Sequence, residues 1–186
     1  MIIKIVVVLA VALALILVIA AFRRPESRVA RSIVIDAPVA TVFSRVNTLR
    51  NWENWSPWAK LDPRLEQTYS GPPAGVGAVS AWSGNAKVGA GRMTVTDSRP
   101  YELVRFRLDF LKPFPGTNTA EFRFEARDGH TMVTWSMTGR TTAYVPRLIG
   151  MFVNLDAIIG REFDRGLAQL KTLAETKSAA DAGAER

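Results

Sequence analysis

The chain has 186 residues, enough for one ordinary domain with its own core once an N-terminal apolar run is set aside. It contains no cysteine, which excludes a disulfide framework, zinc–thiolate sites and cysteine nucleophiles. With a single histidine, His130, the usual catalytic triads and most zinc sites fall away as well. The net charge is +7, but Lys4, Arg23 and Arg24 flank the apolar run, and no helix or strand has a concentrated basic face interleaved with exposed aromatics; no nucleic-acid partner is expected.

Every residue from Ile5 to Phe22 is apolar. At 1.5 Å rise per residue a helix of that length, with Ile2 and Ile3 ahead of it, matches a hydrocarbon core of roughly 30 Å. Ala20-Ala21-Phe22 leads straight into Arg23-Arg24-Pro25, a poor cleavage site, so residues 1–24 are expected to be a retained transmembrane helix rather than a removed signal. Lys4 precedes the run, whereas Arg23, Arg24, Arg28 and Arg31 follow it. That asymmetry predicts a single-pass protein of the inner (cytoplasmic) membrane, its domain facing the cytoplasm. Residues 25–30 read as a short linker, and the four arginines stand where anionic headgroups would attract them, at roughly 1 kcal/mol each.

Residues Arg31 to Ile35 alternate as a strand, closed by Asp36-Ala37-Pro38. Pro38 opens a short helix over Val39–Val46 with Val42, Phe43 and Val46 on one side. Asn47 is placed to cap a second short helix carrying Leu49, Trp52 and Trp55, which must stop near Ser56 because Pro57 follows. After Pro63 the period becomes two. Val104, Phe106, Leu108 and Phe110 alternate with Arg105, Arg107 and Asp109; Ala120, Phe122 and Phe124 with Glu121, Arg123 and Glu125; Val133, Trp135 and Met137 with Thr134, Ser136 and Thr138. Each such strand has one apolar and one polar face, as in an antiparallel sheet covered on one side. Asp128-Gly129 marks a hairpin, and Gly75, Gly77, Gly84, Gly89 and Gly91 mark bulges or sharp bends. From Pro146 to Lys171 the period is helical: Leu148, Phe152, Leu155, Ile159, Phe163, Leu167 and Leu170 fall three or four apart. The small, polar end, residues 177–186, reads as a disordered tail. The expectation is an α+β domain: about seven antiparallel strands curved around a long C-terminal helix, with two short helices after the first strand closing one end and a transmembrane helix ahead.

The segments Ile33-Val34-Ile35-Asp36-Ala37-Pro38 with Val42-Phe43, Asn51-Trp52-Glu53-Asn54-Trp55-Ser56-Pro57-Trp58, and Asp62-Pro63 resemble the SRPBCC superfamily of START-like, polyketide cyclase/dehydrase-like proteins. Further matches are Gly75-Val76-Gly77-Ala78, Trp82-Ser83-Gly84-Asn85, Val88-Gly89-Ala90-Gly91-Arg92-Met93 and Phe163-Asp164-Arg165-Gly166-Leu167. They look like a bacterial branch whose members often carry an N-terminal membrane span. The resemblance covers residues 31–176. It implies the helix-grip fold and a hydrophobic cavity between sheet and long helix. It does not imply catalysis, because the superfamily includes lipid carriers, hormone receptors, aromatic cyclases and co-chaperones.

If that cavity exists, Trp52, Trp55, Trp58 and Trp82 are expected at its wall or mouth, and the inward positions Met93, Phe106, Phe110, Phe122, Trp135, Met137, Phe152, Leu155 and Ile159 are expected to line it. Asp156 and Glu162 are the acids best placed on the long helix to enter the cleft and move protons there. No catalytic constellation is recognisable, and neither cofactor nor metal is expected. The sequence therefore favours membrane-anchored binding of a hydrophobic small molecule or lipid. A cyclase- or dehydratase-type enzyme using the same cavity, and a protein-interaction module, are the alternatives.

Overall fold

The computed structural model describes Lys4 and residues 26–140 and 154–184. Seven antiparallel strands form one sheet in the order β1-β7-β6-β5-β4-β3-β2. They are β1 (Glu26–Ile35), β2 (Glu66–Ser70), β3 (Val79–Ser83), β4 (Ala90–Arg99), β5 (Leu103–Lys112), β6 (Gly116–Arg127) and β7 (His130–Arg140). Helix α1 (Val39–Asn47) and a 3-10 helix (Leu49–Asn54) separate β1 from β2, and helix α2 (Leu155–Ala184) closes the chain. This is the α+β helix-grip arrangement that the alternation and the closing helical period lead one to expect.

The inward residues of the central strands are the apolar ones: Val104, Phe106, Phe122 and Val133 are fully buried, while Arg107, Arg123 and Glu125 are exposed. The register of β4 against β5 shifts between Ala90 and Gly91, at one of the glycines expected to mark a bulge, and again between Val95 and Asp97, where no glycine marks it. Helix α2 is held to the sheet by an aromatic stack, Phe163 on Trp135, with centroids 4.0 Å apart and planes 7° from parallel. Gly166 makes room for this, since a Cβ there would lie 2.9 Å from Trp135 Cζ3 and 3.0 Å from Pro57 Cδ.

Several boundaries differ from the sequence reading, each for a local reason. β1 begins at Glu26, not Arg31: residues 26–30, read as linker, pair with Ser136–Arg140 of β7. The second short helix is a 3-10 turn and Asn47 does not cap it; Asn47 ends α1, where its Oδ1 accepts the Ser98 hydroxyl at 2.9 Å. α2 continues through Ala184, because the alanine-rich end favours helix over the disorder expected of residues 177–186. The apolar run 5–22, residues 146–153 of the expected long helix and Phe152 lie outside the described residues. Among those described, no helix is long and apolar enough to cross a membrane.

Arg31 is also placed differently. Its guanidinium donates to Asp156 Oδ1 and Oδ2 at 3.1 and 3.0 Å and approaches Asp164 at 3.4 Å, so it joins β1 to α2 instead of facing headgroups.

At the other side of the sheet, Gly89 closes the β3–β4 turn with φ +69°, and a Cβ there would collide with the Lys112 carbonyl oxygen. Gly89→Ala combines a left-handed backbone with that overlap, and a loss of about 2 kcal/mol in unfolding free energy is expected. Chemical denaturation of the two proteins side by side measures it; an unchanged midpoint would mean that the turn relaxes freely.

Candidate functional site

A cluster of aromatic side chains builds the packed part of the interior. Pro57 keeps Ser56 out of the helical region, so the 3-10 helix ends after Asn54 and turns its tryptophans onto the sheet. Trp52 Nε1 donates to the Val46 carbonyl at 2.9 Å and Trp55 Nε1 to the Arg45 carbonyl at 3.2 Å, which joins the two short helices through indoles. Trp52 then meets Phe106, Phe122 and Trp135 edge-on at 5.3, 5.6 and 5.9 Å.

Beyond this cluster, toward the start of α2, the described residues do not fill the space between helix and sheet. A cavity of about 330 Å³ remains there, at the lower end of the range for ligand sites. Its wall runs from Trp58 and Ile159 over Met137 and Ala120 to Leu108, Phe110, Met93 and Trp82, and its rim includes Lys87 and Lys112. Trp52, Trp58, Trp82, Met93, Phe110, Trp135, Met137 and Ile159, singled out from sequence, are thus gathered around one hollow. Trp55, Phe106 and Phe122 are not: all three are fully buried in the core beneath the short helices. The reason is that α1 and the 3-10 helix cover only one half of the sheet, and side chains under them pack solid. Phe152 lies outside the described residues, and of Leu155 only its place as the first residue of α2 is described.

Sequence reasoning missed the polar part of the wall. Gln67 Nε2 donates to Ser80 Oγ at 2.8 Å, and both residues line the cavity, with Ser80 only 2% exposed. A signal was present: Ser80 stands two residues before Trp82 on the same strand face, and Gln67 pairs across with Trp82. Ala120, placed by the alternation on the apolar face of its strand but not among the expected lining residues, also borders the cavity, and its small side chain leaves the space. Trp135 Nε1 is the one buried side-chain polar atom without a hydrogen-bond partner among the described residues.

The acids proposed for the cleft stand elsewhere. Asp156 is on the β1 side of α2, where hydrogen bonds from Arg31 hold its carboxyl below the usual carboxylate range. Glu162 accepts from Arg165 at 2.8 Å. Neither lines the cavity, because both fall on the side of α2 turned from it. The rim acid Glu53 accepts the Tyr69 hydroxyl at 2.6 Å; burial, then this carboxylate, pushes the Tyr69 phenol upward. Among the described residues no group of three or more His, Asp or Glu is placed to hold a metal ion.

The rim is shaped by Asp62, 7% exposed. Its Oδ1 accepts the Arg64 N–H at 3.0 Å and its Oδ2 the Asn85 N–H at 2.6 Å, so the β3–β4 turn is tied to the segment after Trp58. These two backbone donors hold the Asp62 carboxyl below its ordinary value. A lowered folded-state pKa contributes stability that is present above the unfolded value of about 3.9 and is lost as pH falls through the folded one. Asp62→Asn sets an amide against one N–H, and its thermal midpoint is expected below the native one at neutral pH. Scans across pH should show the gap closing below about pH 4; a gap independent of pH would remove the carboxylate from the account.

One sheet, a long helix lying on its inner face and an apolar hollow between them define a helix-grip protein with a ligand-type cavity. The chain belongs to the polyketide cyclase/dehydrase and lipid transport family, whose match spans residues 26–175. No curated protein matches. Among solved structures it is similar to the Zhui aromatase/cyclase from Streptomyces sp. R1128, at TM-score 0.60 and 17% identity over 81% of this chain and 94% of that one. The Aha1 dimer from Colwellia psychrerythraea gives TM-score 0.56 and 18% identity over 80% and 96% of the two chains. A hypothetical protein from Helicobacter pylori gives 0.60 and 10% over 80% and 88%. Identities this low speak for the fold alone.

Proposed function

We propose that the protein binds a hydrophobic small molecule or lipid in the cavity between sheet and α2, while residues 5–22 anchor it to the inner membrane with the domain on the cytoplasmic side. The observation that carries the binding reading is the hollow itself: about 330 Å³ left open beside a core that is otherwise packed, and lined mainly by carbon. The few polar groups on its wall narrow the occupant. The Ser80 hydroxyl accepts from Gln67 and keeps its own proton to donate, and Gln67 keeps its carbonyl oxygen. An apolar body carrying a neutral oxygen function, such as a carbonyl or hydroxyl, fits that set better than a charged group buried at the same depth.

The anchoring part draws on the uninterrupted apolar run and the arginines after it. The full-length chain, extracted in mild detergent and examined by native mass spectrometry, should carry an apolar co-purifying molecule. A chain that arrives empty and takes up no environment-sensitive apolar fluorophore would overturn the binding reading. Failure to float with vesicles would overturn the anchor.

The enzyme alternative, a cyclase or dehydratase, is favoured by the family description and by the Gln67–Ser80 pair, which could orient a carbonyl. The acids expected to serve it, Asp156 and Glu162, are engaged outside the cavity, and Glu53, which lines it, accepts the Tyr69 hydroxyl. Turnover of a carbonyl-bearing substrate that Gln67→Leu abolishes, with binding kept, would select it over simple carriage.

A further inference from the structure

We propose that the end of the sheet around the cavity mouth docks flat on a bilayer surface rich in anionic headgroups. This deepens the anchored-binding reading and rests on it. The register brings five chain segments to that one end: Glu26 opposite Arg140, Gly139 opposite Asn118, Gly116 opposite Phe110, Lys112 opposite Ala90, and Ser83 opposite both Ala90 and Glu66. The β3–β4 and β5–β6 turns therefore project there side by side, and both contribute to the rim, through Lys87 and Lys112.

Two independent observations choose the occupant. The first is reach. Because β1 begins at Glu26, only residues 23–25 separate the sheet from the apolar run that ends at Phe22. Four extended steps cover at most roughly 15 Å, so this end of the sheet, and not the opposite one at Tyr101 and Asp128, must lie next to the headgroups if the run is in the bilayer. The second is surface chemistry. Leu111 and Phe114, 61% and 60% exposed, stand on the β5–β6 turn beside Lys112, and Leu61 is exposed beside the β3–β4 turn. Lys60, Lys87 and Lys112 are exposed there and form no ion pair among the described residues, while of the acids at this end Asp62 accepts two backbone N–H groups and Glu53 the Tyr69 hydroxyl, beside the strand-end Glu26 and Glu66. Exposed apolar tips ringed by lysine suit an anionic interface, where the tips enter the headgroup layer and the ammonium groups stay above it. The cavity mouth would then open onto lipid rather than water.

The absence of cysteine lets one labelling site be introduced cleanly. Full-length Phe114→Cys and Tyr101→Cys, each carrying a nitrobenzoxadiazole dye, are reconstituted into vesicles of phosphatidylcholine and phosphatidylglycerol containing doxyl lipids. Docking predicts strong quenching at position 114, little at 101, and loss of the 114 signal when Lys87→Glu and Lys112→Glu are added. Flotation is measured on the same samples. A chain that floats but shows equal or no quenching at the two positions overturns docking and leaves the anchor standing; so does quenching at 101 alone, or a face protected by a second copy or another protein. A chain that does not float overturns the anchor and this proposal with it.

Discussion

Replacing Trp55 with alanine is expected to lower the unfolding free energy by about 4 kcal/mol, whereas replacing Trp58 three residues later should cost roughly half as much. The contrast follows from place, not from residue type. Trp55 is fully buried, tilts against Trp52 at 4.5 Å, meets Phe122 and Trp135 edge-on at 5.9 and 5.8 Å, and donates its indole N–H to Arg45. Its removal leaves a void that neither the 3-10 helix nor the sheet can close, and it leaves one carbonyl of α1 without its indole donor. Trp58 is partly exposed, touches Trp135 and Phe163 at 5.7 and 6.3 Å, and borders a space that is already open. Equilibrium denaturation of the full chain in detergent gives both values, and equal losses would contradict the division of the interior into packed core and hollow.

Filling that hollow should abolish ligand uptake at little cost in stability. Ala120→Phe is the substitution of choice: Ala120 is 3% exposed, sits on the inner face of β6 between Phe106 and Met137, and lines the cavity. In a close-packed core an added ring costs roughly 1–3 kcal/mol in strain. Here it has somewhere to go. Affinity for an apolar fluorophore should fall at least about tenfold, equivalent to about 1.4 kcal/mol, with a thermal midpoint close to the native one. Undiminished binding would place the fluorophore elsewhere on the molecule, and a large drop in midpoint would show that the space is not available to a side chain.

The two substitutions also mark what can be read from one sequence. Alternation in β5, β6 and β7 showed which side chains turn inward, and the heptad-like spacing from Ile159 to Leu170 showed which face of α2 meets them. What period two cannot express is position along the strand. On β5, Val104 and Phe106 are fully buried while Leu108 and Phe110 on the same face are only partly so. The difference is the span of the short helices above, a tertiary fact with no local signature. Trp55, Phe106 and Phe122 were therefore assigned to a wall when they belong to the filling. Ser80 and Gln67 went unnoticed for the complementary reason: polar residues at inward positions resemble edge-strand noise until a partner appears across the ladder. The start of β1 was legible only from its pairing, because Glu26-Ser27-Arg28 lacks the apolar alternation that the strand acquires further on.

The side chains of α2 have one more effect. Lys171 Nζ donates to the Val34 carbonyl at 2.7 Å and the Asp36 N–H to Glu175 at 2.7 Å, while Arg31 reaches the Ala30 carbonyl at 2.7 Å. β1 is a terminal strand of the sheet, and an unblocked terminal strand invites a stranger's backbone to add itself. Side chains already occupying its main-chain groups discourage such growth at this flank, and β2, the opposite flank, offers only five residues. If the proposed anchor crowds the chain in two dimensions beside its own copies, that is protection against fibril-like stacking.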